Sequence, residues 1–341
     1  MSVEQLGSWT YQRQRLGRAA PDGATALRDV IAVYSAQPSA PLSLHARTKQ
    51  LDAEAYRTLD ALRVPAMRAS LHLLPSDTAH LAFRAVPEPP ARSARRLKTF
   101  GLSDRRYAEL REAVLAEVAT TPRTSKALRE ATGADKATPA VLSAMSREGV
   151  LVRIGAESLR SNDLRWIARD LGEADSDDAL AWLAGEYLRA FGPARPADFQ
   201  WWAGTSAKRA KAALAAVDTE ELDQGLLIRT EDRGAFEQTR KAPRGTVDLL
   251  PKWDAYTMGL APDGRDRFAH ADIVDRIYEK SGDGRPVVLV DGAAAGVWSI
   301  VAANAKDDLA IDLELFGGKP ARKLKAALDE RVDAMRAFLR S

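Results

Sequence analysis

Apolar residues at Ala26, Leu27, Val30, Ile31 and Tyr34 recur at helical spacing. The stretch predicts a helix from Ala24 to Tyr34, stopped by the two prolines of Ser35-Ala-Gln-Pro-Ser-Ala-Pro41. A second helix-like stretch follows over Leu42 to Lys49. Met67 to Leu74 partly alternates and reads as a strand, with Ser76 or Asp77 able to cap the next helix. Residues 86–106, rich in Pro and Arg, read as a basic connector.

Beyond it the pattern predicts helices Tyr107–Ala119, Thr124–Thr132 (ended by Gly133) and Thr138–Glu148 (ended by Gly149), then a short strand closing at Ile154. Three short helices before a strand pair is the order of a winged helix. Thr138–Glu148 would be its recognition helix and Ile154–Arg160, with Gly155, its wing. A comparable order follows in helices Asp178–Phe191 and Ser206–Val217 and strand Gly225–Arg229. After Pro243 come β signals at Thr246–Leu250, Arg285–Gly292, Val297–Val301 and Leu309–Phe316. Asp291-Gly292 is a hairpin signal, its loop lengthened by Ala293, Ala294 and Ala295. Pro320 to Leu339 reads as an amphipathic helix.

Composition narrows the class. At 341 residues, 45% hydrophobic and 28% charged, the chain is an ordinary globular one, long enough for two or three domains. Its start lacks an apolar signal segment and about 18 apolar residues never run together, so a cytoplasmic protein is expected. Cysteine is absent, which excludes disulfides, thiolate nucleophiles and cysteine-ligated metals. The net charge of +3 hides an asymmetry: the first 165 residues hold 25 Lys and Arg against 17 Asp and Glu, the remainder 25 against 30. A basic N-terminal half suits a polyanion, and 37 Arg against 13 Lys suits bidentate phosphate contacts.

His45, His72, His80 and His270 show no metal-ligand spacing, and P-loop, dinucleotide-binding and nucleophile-elbow motifs are missing. No metal and no organic cofactor is expected.

Five strings carry a resemblance: Ser35-Ala-Gln37 leading into Pro38 to Arg47, Arg68-Ala-Ser-Leu-His-Leu-Leu-Pro75, Arg195 to Gly204, Leu249 to Tyr256, and Arg285 to Gly292 with Gly296-Val-Trp298. Together they resemble the AlkZ-type, YcaQ-like winged-helix DNA glycosylases over nearly the whole chain. The resemblance implies an α+β, mainly α protein. Tandem winged helices at 1–105, 106–170 and 171–240 would form a concave basic channel, and a C-terminal β-containing region at 241–341 would add a hairpin and a terminal helix. It implies a double-stranded DNA partner, excision of N7-alkylated purines and no membrane; a monomer is expected.

The family's Gln-x-Gln signature falls on Ser35-Ala36-Gln37, with Ser in first place. An N7-alkylated purine is already cationic, so its departure needs no strong acid; amide oxygens that hold a water and stabilise an oxocarbenium-like sugar suffice. Gln37 and Ser35 are therefore the candidate catalytic pair, with weakened or altered activity expected from Ser35. The alternative is a non-catalytic winged-helix DNA-binding protein, a regulator or lesion-sensing relative. Gln12-Arg-Gln14 repeats the motif literally but reads as solvated helix. Arg47, Arg68, Arg92, Arg95, Arg96, Lys98, Arg105 and Arg106 are candidate DNA contacts and His72 a candidate pocket residue. Trp201-Trp202 reads as core, Asp254 and Tyr256 as structural, and the Asp291-Gly292 hairpin as a candidate groove contact.

Overall fold

A computed structural model describes residues 1–36, 38–133, 136–302 and 309–341. Asp22 opens a helix at Gly23–Asp29 by accepting from the Thr25 amide at 2.7 Å. That helix stops five residues earlier than the periodicity suggests, because Ile31 takes a left-handed φ of 69° and frees Val33–Tyr34 to be strand β1. Helices Ser39–His45 and Ala53–Arg57 follow, then β2 (Ala61–Pro65) and β3 (Leu71–Pro75). β3 pairs with β2 on one side and with β1 on the other.

The connector expected at 86–106 instead contains a helix, Pro90–Thr99, with no buried residue. Next come helix Asp104–Val118, β4 (Arg123–Thr124), helices Ser125–Thr132 and Thr138–Glu148, β5 (Leu151–Ile154) and β6 (Arg165–Ala168). Here β6 pairs with both β5 and β4. Helix, strand, helix, helix, strand, strand therefore occurs twice with the same pairing, as two successive units. The two three-stranded sheets join edge to edge through one residue pair, Arg63 opposite Arg153, into a six-stranded sheet.

A third instance keeps the order with its first strand reduced to a bridge. Helices Ser176–Phe191, Pro196–Ala203 and Ala207–Ala215 precede β7 (Thr219–Leu222) and β8 (Leu226–Arg229), and Ala194 bridges Leu227. A four-stranded sheet closes the chain, with β9 (Val247–Leu250), β10 (Val287–Val290), β11 (Ala293–Ala302) and β12 (Leu309–Leu315) in the order β12-β11-β10-β9. The terminal helix Arg322–Arg340 packs on it, burying Leu328, Val332, Met335, Phe338 and Leu339.

Asp291 and Gly292, at φ 53° and 82°, form a two-residue turn. The three alanines belong to β11 rather than to a lengthened loop. The turn does not project: Asp291 accepts from the Gly245 and Thr246 amides, and the Gly292 carbonyl accepts from the Tyr256 hydroxyl at 3.3 Å. Asp77 pairs with Arg28 at 2.9 Å and caps no helix. Gln14 is wholly buried and donates to the Ala190 carbonyl at 3.0 Å, contrary to its reading as a solvated position.

The β2–β3 connection matters most for the site. Arg68 and Ala69 both take left-handed φ, 55° and 56°. Gly204, which ends helix Pro196–Ala203, lies against this turn: a Cβ there would come within 2.9 Å of Arg68 Cα and 3.0 Å of its backbone nitrogen. Glycine is required at 204 by that contact and by its own φ of 73°.

Candidate functional site

A cleft of about 570 Å³ opens where the first two units and the C-terminal region meet. The end of β1 brings Tyr34, Ser35 and Ala36 to it, the β2–β3 turn Arg68, Ser70 and Leu71, the second unit Ser125, Arg153, Asn162 and Leu164, and the C-terminal region Trp253, Met258 and Asp283.

Ser35 is anchored by its amide, which donates to the Leu71 carbonyl at 3.0 Å, while the residue is 1% exposed and its hydroxyl has no partner among the described residues. An unpaired buried hydroxyl carries a desolvation cost that a substrate group or a water would relieve. Gln37 lies outside the described residues; Ser35 and Ala36 place the motif's first two positions at the cleft.

Two guanidiniums enter the cleft over indole rings. Arg68 Cζ lies 4.4 Å from the Trp201 ring centre and Arg153 Cζ 4.0 Å from that of Trp166. Neither forms an ion pair with a carboxylate among the described residues. Burial, seconded by Arg147, pushes the Arg153 guanidinium down to about 10, which leaves it cationic at neutral pH. Ser125 accepts from Trp166 Nε1 at 2.8 Å, so its own hydroxyl hydrogen is free to be donated. The Asp283 carboxylate accepts from Trp253 Nε1 at 3.1 Å and lies 4.0 Å from Lys252, so its charge is already partly answered. The cleft is thus a cationic, hydroxyl-rich space with apolar patches at Leu71, Leu164 and Met258.

His72 lies under this floor rather than on it. It is 2% exposed, its ring centre 4.5 Å from that of Tyr34, and its Nδ1 donates to the Ser70 carbonyl at 3.1 Å. Burial pushes it down to about 4, and nearby Arg68 acts in the same direction. The folded state therefore keeps the ring neutral while the unfolded chain takes up a proton near 6.5. Stability from this residue is complete above that value and is lost as pH falls toward 4. His72→Gln is expected to flatten the fall in denaturation midpoint across this window; equal slopes in both proteins would refute it.

The other expected contacts disperse. Arg47 has no exposed surface and is held by Asp254 at 2.6 Å, so it reaches no phosphate. Arg92 lines a neighbouring cavity of about 480 Å³ that also borders Arg68. Arg95 and Lys98 are exposed on helix Pro90–Thr99. Arg96 meets Ser143 at 3.1 Å and Glu88 at 3.6 Å, and Arg105 and Arg106 both pair with Glu109. Sequence reasoning missed Arg153, Ser125, Trp253 and Asp283. Of these only Arg153 gave a signal, a cation inside an otherwise apolar strand.

A family model for DNA glycosylase AlkZ-like proteins matches residues 27–338. The chain belongs to the AlkZ-like DNA glycosylase family. It is similar in structure to the DNA glycosylase AlkZ of Streptomyces sahachiroi, at 23% identity and a TM-score of 0.72, over 99% of this chain and 97% of that one. No curated protein matches the sequence. Among the described residues no cluster of three His, Asp or Glu is arranged to hold a metal, and no helix is long and apolar enough to cross a membrane.

Proposed function

We propose that this AlkZ-like protein is a monofunctional DNA glycosylase that releases N7-alkylated purines from duplex DNA. The observation that carries the reading is the orphan Ser35 hydroxyl, buried in the cleft that Arg68 and Arg153 also line. A water bonds to C1′ of the sugar as the C1′–N9 bond breaks, the bonding pair leaves with the purine, whose positive charge it neutralises, and the water's surplus proton passes to solvent. Gln37 holds the water and takes up part of its developing charge, and Ser35 offers a second, shorter oxygen. The two cleft cations suit the phosphates that flank the extruded nucleotide.

The test is base release from N7-methylated duplex DNA. The parent chain is expected to exceed background, and Gln37→Ala to fall about a hundredfold. Ser35→Gln is expected to raise release, since it restores the longer amide. Background release from all three proteins would remove the enzymatic reading. Ser35 in place of Gln favours the second reading, a non-catalytic DNA-binding relative. In that case salt-sensitive binding to duplex DNA remains while Ser35→Gln gains nothing.

A further inference from the structure

A third, much smaller cavity of about 140 Å³ lies at the seam between the first two winged helices. Arg63, Arg57 and Tyr56 border it from one side, Arg165 and Gly155 from the other. Arg63 is 3% exposed; its Nη2 donates to the Tyr56 hydroxyl at 2.8 Å and its Nε has no partner. No carboxylate pairs with Arg63 or with Arg165 among the described residues. Arg165 gives its Nε to the Gly155 carbonyl at 3.2 Å; Arg57 gives its Nε to the Glu157 carbonyl at 2.9 Å and meets Glu54 only at 4.0 Å.

An enclosed guanidinium without a counter-charge is costly, and a bound anion removes that cost. The space is too small for a base or sugar with its phosphate and ample for one tetrahedral oxyanion. We infer that this cavity is a phosphate-group site whose occupant ties the two winged helices together. The bound oxyanion takes hydrogen bonds from Arg63 and Arg165 at once, one on each side of the seam.

The occupant is either free phosphate or a backbone phosphate of nucleic acid. Thermal unfolding of the full chain is followed in chloride and in inorganic phosphate at matched ionic strength. Occupancy by free phosphate raises the parent's Tm by about 2–4 °C. Arg63→Met, which keeps length and removes charge, has a Tm in chloride equal to or above the parent's and shows no such rise. Arg165→Gln serves as the second variant and shifts the phosphate midpoint to higher concentration. If phosphate has no effect, but the salt slope of duplex DNA binding is smaller by about one in Arg63→Met, the occupant is a backbone phosphate. An equal rise in parent and Arg63→Met, which general salting-out produces, overturns the site. So does the absence of both effects. None of these readings uses base release, so the site and the glycosylase assignment can fail separately.

Discussion

Asp254→Ala is expected to lower the unfolding free energy by about 3–5 kcal/mol, the range for stripping one partner from a buried ion pair. Asp254 accepts from Arg47 Nη1 at 2.8 Å and Nη2 at 2.6 Å, from the Ser43 hydroxyl, and from the Tyr256 amide at 2.9 Å. Both side chains of the pair are 0% exposed, so water does not screen it. Alanine would leave a guanidinium enclosed with only the Ser43 oxygens to receive it, and the helix at Ala255–Met258 without its cap. Urea unfolding should show a lower midpoint at unchanged m. Replacing both partners together, Arg47→Met with Asp254→Leu, should cost much less. A loss under about 1 kcal/mol for Asp254→Ala would show that water reaches the pair.

Trp202→Ala should destabilise by about 3–5 kcal/mol. Its ring centre lies 5.0 Å from that of Tyr187 and 5.9 Å from that of Phe191, in a core that also holds Phe199, so truncation opens a void the neighbouring rings cannot fill. Trp201, one residue earlier, is half-buried and carries the Arg68 guanidinium on its face. Trp201→Ala should cost well under half as much stability and weaken duplex DNA binding by loosening Arg68. Matching stability losses for the two variants, measured by denaturant unfolding, would refute this division.

That division also shows where sequence reading stops. Adjacent residues on a helix point about 100° apart, so a Trp-Trp pair cannot both be core when one face meets a neighbouring turn; which face does so is a tertiary matter. Helix Thr138–Glu148 was legible to the residue, because Pro139 can only sit in the first turn and Gly149, at φ 82°, can only follow the last. Residues 90–99 were not, since four cations and a leading Pro-Pro resemble a solvated linker, and their helix buries nothing that apolar spacing could disclose. Arg47 misled for the same physical reason: a cation's partner can lie two hundred residues away, and spacing carries no record of it. Ser35 was found through the motif and Arg68 was named as a candidate contact; the unpaired hydroxyl, and the convergence of Arg153 with Arg68 on one cleft, are tertiary facts that spacing does not carry.

Gly204 belongs to the third unit, yet it lies against the backbone of the turn that presents Arg68. The contour of the cleft is therefore not the private property of the N-terminal segment that bears the motif. Drift at a helix end far along the chain is felt at the mouth of the cavity. Swapping one of these units for a homologous one will succeed only if that hydrogen-sized gap travels with it.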